Sequence, residues 1–373
     1  MKRVLIVGDF LHGSGVTSFI LNAFGNINDQ QIQFEALANA GSSEMKAEIE
    51  AKYGWPMTVI PAANQGLHSH LKAWHQFLKA NRGRYDAVHF NYSAMWNFLP
   101  LMMAKHYGAK QITLHSHNTY FGTDGSAAKL RVLKLLHNFG KWYVCHFVAT
   151  DFVAVSKEAA QWLFTGSIVK RQRYHLIRNG INLAKFNFDP EKRRRLRQAA
   201  NLDGKHVYAN VGVFEKRKNQ QFLIKIFAKI AVQDPQAILY LIGTGPLETL
   251  LKQQVKAAKL TDQVQFLGRR SDMADLYQVM DYLIFPSLHE GLSMVFVEAQ
   301  AAGLTIFPSA EIPLDRYDHE IVFPISLSKS ANQWAEVIGQ HQNSERRQGH
   351  IAALRRLGYD EKQTVKAIHA LYQ

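Results

Sequence analysis

Phe285-Pro-Ser-Leu-His-Glu-Gly-Leu-Ser-Met-Val-Phe-Val-Glu-Ala-Gln-Ala-Ala-Gly303 is the stretch on which the reading of this chain turns. Ahead of it, Asp281-Tyr-Leu-Ile-Phe285 is a short apolar run of the kind that forms a buried strand. Pro286 and Gly291 interrupt the pattern, so Pro286 to Ser293 reads as a loop. From Met294 to Ala302 nearly every residue is apolar around the whole helical wheel, which puts this helix inside a domain. Glu298 stands in the middle of it. A buried carboxylate is costly unless it is paired or hydrogen-bonded, so Glu298 needs a partner. Glu290 waits in the loop before it. Strand, loop and helix start gather the backbone N–H groups of Ser293, Met294 and Val295 at one spot, and helix starts attract anions. Carboxylates beside such a spot suit hydroxyl donors, a sugar or a ribose. A plain helix start with a solvated Glu290 and a surface Glu298 accounts for the same pattern.

His289-Glu290-Gly291-Leu292-Ser293, followed by Glu298 and Gly303, resembles the donor-site motif of retaining glycosyltransferases of the GT-B fold. The family is the large one, often called family four, that includes many bacterial exopolysaccharide and capsule enzymes. The resemblance implies that Glu290 and the amides of Gly291, Leu292, Ser293, Met294 and Val295 meet the donor sugar and diphosphate. It implies that Glu298 holds the nucleotide ribose. It also implies the fold: α/β, two doubly wound Rossmann-like domains facing a central crevice, with the acceptor on the first and the nucleotide sugar on the second.

Length and composition allow this. The 373 residues suffice for two domains with real cores, and 47% hydrophobic with 20% charged residues is ordinary for a globular protein. The single cysteine, Cys145, excludes an internal disulfide and a cysteine-based metal site, and fits a reducing, cytoplasmic setting. Neither a signal peptide nor an uninterrupted apolar stretch of membrane-crossing length is read in the sequence. The net charge is +14. Ten Lys or Arg fall between Lys170 and Arg197 against Asp189 and Glu191, which is 10 − 2 = +8. Such a cluster suits lipid phosphates or an anionic membrane surface, or is simply a solvated face. Without interleaved aromatics it does not read as a nucleic-acid site.

Lys2 to Gly8 reads as a buried strand, Asp9 to Gly15 as a loop, and Val16 to Gly25 as a helix: the opening of a doubly wound domain. Gly8, Gly13 and Gly15 do not form the dinucleotide fingerprint. In the resembling family this loop carries two glycines and a Glu, positions held here by Ser14, Gly15 and Thr17. Ser14 is assigned to the acceptor side and Gly15 to the donor. Strands follow at Gln31–Leu37, Met57–Pro61, Ala87–Asn91 and Gln111–His115. Thr113-Leu-His-Ser-His-Asn118 places two histidines on one side of a strand end. In the resembling family a histidine at this strand end faces the donor sugar or acceptor, so His117 is taken as that residue and as catalytic, with His115 second and both on the acceptor side; a satisfied histidine at a strand end accounts for the same pattern. The Asn179-Gly180 turn marks the first domain as 1–180, the second as 181–355, and 356–373 as a helix crossing back.

The second half repeats the pattern. His206 to Val213 is a strand, and Phe214-Glu-Lys-Arg-Lys-Asn219 is a basic turn. In the family, an Arg and a Lys after the strand glycine (here Gly212) grip the diphosphate. Lys218 and Asn219 match, Val213 stands at the Arg position, and Arg217 is the candidate replacement. The family's backbone meets the nucleotide base at Gly268-Arg269. Leu304–Ser309 and Glu320–Ile325 are the last expected strands; Trp334–Gln340, Glu345–Leu357 and Asp360–Leu371 are the last helices. The resulting expectation is a hexosyltransferase using a nucleotide-diphospho-sugar, UDP-hexose first, with catalytic residues His117, Glu290 and Lys218 and neither metal nor cofactor. Its acceptor is a glycan or a polyprenyl-phosphate-linked one, used in the cytoplasm or peripherally at the inner face of the cell membrane. A non-catalytic partner subunit of the same fold, or a nucleotide-sugar epimerase, remains the alternative.

Overall fold

Apolar runs alternate with amphipathic helices along the whole chain, and each half collects its runs into one parallel sheet. The computed structural model describes all residues except Tyr120, 122–125, 291–292, 313–319 and 342–346. Two units result, Met1–Gly180 with Glu361–Gln373, and Ile181–Asp360.

In the first unit the strands are β1 (Lys2–Gly8), β2 (Ile32–Ala38), β3 (Met57–Val59), β4 (Ala87–Tyr92), β5 (Gln111–Ser116), β6 (Asp151–Ala154) and β7 (His175–Leu176). Their order is β3-β2-β1-β4-β5-β6-β7. Helices α1 (Gly15–Phe24), α2 (Lys46–Tyr53), α3 (Leu67–Ala80), α4 (Leu99–His106), α5 (Ala127–Phe147), α6 (Lys157–Leu163) and α7 (Gly166–Lys170) connect them. Strands covered on both faces are apolar at consecutive positions, which is why Val4 to Val7 of β1 are all buried.

The second unit has strands β8 (His206–Val211), β9 (Ala237–Ile242), β10 (Val264–Gly268), β11 (Tyr282–Phe285) and β12 (Thr305–Pro308), ordered β10-β9-β8-β11-β12. Its helices are α8 (Leu183–Phe186), α9 (Pro190–Ala199), α10 (Gln220–Gln233), α11 (Glu248–Ala257), α12 (Met273–Val279), α13 (Met294–Ala301), α14 (Ala331–Gln340) and α15 (Ile351–Arg356). The closing helix α16 (Glu361–Ala370) packs on α1 in the first unit. In both sheets the crossovers reverse direction once, between β1 and β4 and between β8 and β11. Ligands of open parallel sheets bind beyond the strand ends at such a reversal.

Three readings of the sequence are corrected. Glu320–Ile325 is not a strand. Val322 and Ile325 form isolated bridges to Ile306 and Ser309, and Pro324 and Pro308 lack the N–H groups a ladder needs. The expected helix Glu345–Leu357 is helical only over Ile351–Arg356: residues 347–350 are not helical, and Glu345 and Arg346 lie outside the described residues. The basic cluster is not one solvated face: six of its ten cations are exposed, Lys192 and Arg193 are half-buried, and Arg178 and Arg197 are buried. Half of it builds α9, which starts on an Asp189 side-chain cap and Pro190. Arg193 and Arg197 point inward to Asp281, at 2.5 and 3.2 Å. Lys170, Arg171, Arg173, Lys185, Arg194 and Arg195 stay exposed.

Candidate functional site

The reversal point of the second sheet is where the strongest candidates meet. β8 ends at Val211, and Gly212 leads toward a tight turn, Lys216–Lys218, before α10. β11 leads into Pro286–Glu290. The two loops are stapled together: Leu288 N–H donates to the Arg217 carbonyl at 2.8 Å, and the Asn219 amide donates to the Pro286 carbonyl at 3.1 Å. Between them lies a compact charge cluster. The Lys218 ammonium is 2.7 Å from Glu290 Oε1, and the Arg217 guanidinium is 2.8 Å from Glu290 Oε2. Arg217 also holds Glu215 at 2.6 Å.

Lys218 and Glu290 are 7% and 5% exposed, so neither charge is dissipated in water. Burial pushes the Lys218 ammonium below its usual range, and the Glu290 carboxylate opposes that shift. The ammonium lies 4.7 Å from the centre of the Phe285 ring, a cation–π contact that adds to its hold. Glycine is required beside it. A Cβ on Gly212 would fall 3.0 Å from Lys218 Cε, and one on Gly243 would fall 2.1 Å from the Gly212 carbonyl oxygen. The two strand ends therefore pack backbone to backbone and leave a channel for the lysine stem.

Glu298 finds its partner elsewhere. Tyr277 of α12 donates its hydroxyl to Glu298 Oε2 at 3.0 Å, and Glu290 is committed to the two cations. Burial raises the Glu298 pKa, an effect its bond to Tyr277 and the charge of Lys185 oppose. The sequence did not single out Tyr277: Met273, Leu276, Tyr277 and Met280 recur at helical spacing, but that spacing does not say which side chain the hydroxyl meets. Ser293 precedes α13 without a side-chain cap, so Met294 and Val295 open the helix with the first-turn N–H groups that helices leave unsatisfied. Gly268 closes β10 and Arg269 follows it, exposed. Gly291 and Leu292 lie outside the described residues.

In the first unit Thr17, at the position of the family's Glu, is a structural hub. Thr17 and Ser14 donate their hydroxyls to the two oxygens of Asp9 at 2.8 and 2.7 Å. Ser14 is thus committed to closing the loop. Gly15 is exposed, with nothing within 4 Å of an added Cβ. His117 follows β5 and donates through Nε2 to the Asn91 side-chain oxygen at 2.9 Å, while Asn91 donates to the Val7 carbonyl at 3.0 Å. That fixes the tautomer: His117 Nδ1 is an acceptor, buried and without a hydrogen-bond partner. His115 stacks on it at 4.1 Å between ring centroids and hydrogen-bonds His89 at 3.0 Å. His89 and Asn91, which hold the pair, were not singled out by the sequence.

Burial keeps these imidazoles neutral, with His117 and His89 both pushed down to about 3. The native state therefore refuses protons that the unfolded chain accepts below about pH 6.5. Stability is complete above that pH and drains as pH falls toward 3. At pH 5 the loss is roughly 2 kcal/mol for each of these two rings. Urea unfolding at pH 7.5 and pH 5 measures this, and an unchanged midpoint would contradict it. Among the described residues no group of three His, Cys, Asp or Glu side chains is placed to hold a metal ion.

Two parallel doubly wound units, with a Lys–Glu–Arg cluster at the reversal point of the second, match the GT-B architecture of the glycosyltransferases that the sequence resembles. Comparison with known proteins settles the family. The Glycosyltransferase Family 4 model matches residues 13–185, and the Glycosyl transferases group 1 model matches residues 191–314. EpsF of Bacillus subtilis (strain 168), which carries a provisional glycosyltransferase name, is 30% identical over 381 residues, covering 100% of this chain and 96% of that protein. The chain belongs to the family-four glycosyltransferases. UDP-Gal:alpha-D-GlcNAc-diphosphoundecaprenol alpha-1,3-galactosyltransferase of Escherichia coli is 24% identical over 229 residues, 59% of this chain and 57% of that one. The crystal structure of Anabaena HepE in complex with UDP shares the fold at a TM-score of 0.77 and 19% identity, covering 100% of this chain and 99% of that one.

Proposed function

We propose that this enzyme binds a UDP-hexose on its second unit (Ile181–Asp360) and transfers the hexosyl group, with retention, to a glycan or polyprenyl-phosphate-linked acceptor held by its first. The setting is cell-surface polysaccharide synthesis in the cytoplasm, peripherally at the inner face of the membrane, where the exposed Lys170, Arg171 and Arg173 add attraction. The observation that carries the reading is the Lys218–Glu290–Arg217 cluster beyond the ends of β8 and β11. In transfer, the bond from the sugar's anomeric carbon to the diphosphate oxygen breaks and negative charge develops on the leaving group. Lys218, Arg217 and the amides opening α13 are the preorganised positive groups that oppose it, with no metal called upon. The acceptor hydroxyl forms the new bond from the same face, and its proton passes to the departing phosphate oxygen.

In this reading Glu298 accepts hydrogen bonds from the ribose, held in place by Tyr277. The amides of Gly291 to Val295 meet the diphosphate and sugar, and the backbone at Gly268-Arg269 meets the base. His117 presents Nδ1 as an acceptor to a sugar hydroxyl. The relatives support the donor and acceptor classes: HepE was crystallised with UDP and with UDP-glucose, and the Escherichia coli enzyme is named for a UDP-sugar and a diphosphoundecaprenol acceptor. Thermal unfolding with UDP, GDP and ADP tests the donor. UDP at about 100 times its Kd is expected to stabilise by ~2.7 kcal/mol, and Glu298→Ala to remove most of that shift. A shift with none of the three, or one untouched by Glu298→Ala, would overturn the donor assignment.

A further inference from the structure

The helix α5 turns an apolar face to solvent. Its inward side is well packed: His137, Gly140 and Val144 are buried, the Met95 N–H donates to His137 Nδ1 at 3.1 Å, and a Cβ on Gly140 would lie 2.3 Å from the Met95 carbonyl oxygen. On the opposite side Val132, Leu135, Leu136, Phe139, Trp142 and Phe147 are between 41% and 70% exposed. As far as Trp142 these recur at three- and four-residue steps, the spacing of a single helical face. The aromatics are contiguous, with Phe139 and Trp142 centroids 6.1 Å apart and Trp142 and Phe147 centroids 5.5 Å apart. Scattered apolar residues on a surface need no account, but a stripe along one helix does.

The charges around the stripe say what covers it. Lys129, Arg131 and Lys134 are exposed on the same helix, and no Asp or Glu occurs between Ala127 and Phe147. A second copy of this chain docked helix on helix would offer those cations no acid, since neither copy of α5 carries one. An anionic bilayer accepts both features: cations at the headgroups, and Leu, Phe and Trp at the boundary with the acyl chains. Crossing is a separate matter, since among the described residues no helix is long and apolar enough for that. We propose that α5 is the membrane-docking helix, lying in the interface of an anionic membrane with Val132, Leu135, Leu136, Phe139 and Trp142 inward. This deepens the peripheral-membrane part of the proposed function and rests on that part alone, independent of the donor.

Flotation of the full chain with vesicles tests it, using phosphatidylcholine alone and phosphatidylcholine mixed with phosphatidylglycerol. Wild type is expected to float with the mixed vesicles at low salt and to release as salt rises. Leu135→Ser/Phe139→Ser/Trp142→Ser, whose positions are exposed, is expected to fold as wild type by circular dichroism and to bind at least about tenfold more weakly. Lys170→Gln/Arg171→Gln/Arg173→Gln is expected to keep most of the binding. If the second variant loses binding and the first keeps it, the enzyme is peripheral through another surface and α5 is not the docking helix. If wild type floats with neither vesicle, both the helix and the peripheral setting are wrong, while the UDP shift still judges the donor. A dimer in light scattering that the Leu135/Phe139/Trp142 variant dissolves would assign the face to a second copy and overturn the proposal.

Discussion

Lys218→Ala is expected to lower kcat by about 10²–10³-fold, the usual consequence of removing one preorganised charge-stabilising group. The donor KM should change far less, because Arg217 and the start of α13 remain to hold a diphosphate. The argument rests on what the variant leaves behind. Glu290 is buried and would be costly if stranded, but Arg217 stays 2.8 Å from its other oxygen. The fold should therefore survive, and an unliganded melting temperature close to wild type would show that the rate loss is chemical. Lys218→Arg should not restore the rate. The ammonium already sits 2.7 Å from Glu290 and 4.7 Å from the centre of the Phe285 ring, so a longer side chain with a planar guanidinium does not place its charge at the same point. A Lys218→Ala enzyme within tenfold of the wild-type kcat would remove this lysine from the mechanism. A wild type that binds UDP yet transfers nothing to any acceptor would revive the alternative of a non-catalytic partner subunit.

How much of this was legible beforehand depends on the kind of signal. Strands such as Lys2–Gly8 and Tyr282–Phe285 were readable because a strand covered on both faces must be apolar at every position. The Glu290–Glu298 spacing pointed to a site, yet it could not say which side chain each carboxylate would choose. Arg217 and Lys218 lie more than seventy positions from Glu290, and only the pairing of β8 with β11 brings the two loops together. Tyr277 was invisible for the same reason. The basic run misled because counting charges ignores direction. Asp189-Pro190-Glu191 is a helix-start signal that could have shown the run to be helical, with one side facing in. The exposed stripe on α5 was missed in the opposite sense, since apolar periodicity marks a face without saying whether anything covers it.

The misread arginines give the second large effect. Asp281→Ala is expected to destabilise the second unit by about 3–5 kcal/mol, the cost of stranding buried charges. Asp281, 4% exposed, takes Arg193 on one oxygen at 2.5 Å, and Arg197 and the Val207 N–H on the other at 3.2 and 2.8 Å. The same guanidiniums donate to the carbonyls ending α12: Arg193 to Gln278 at 2.8 Å, and Arg197 to Val279 at 2.7 Å. Arg347 joins them, donating to the Tyr277 carbonyl at 2.6 Å, and burial among like charges pushes it down to about 9. Cations at a helix C-terminus complement its dipole, but three of them cannot share a buried spot without an anion. Asp281 is that anion, and it also ties α9 and α12 to the first residues of β8. Removing it should therefore loosen a defined set of amides. Hydrogen exchange should accelerate in 206–211 and 273–280 and stay unchanged in Lys2–Gly8 of the first unit. Since α12 carries Tyr277, the loosening should reach Glu298, and the UDP shift should shrink in Asp281→Ala although Asp281 is assigned no contact with the nucleotide. Unchanged exchange in 273–280 would show that the arginines, and not the carboxylate, hold this corner of the domain.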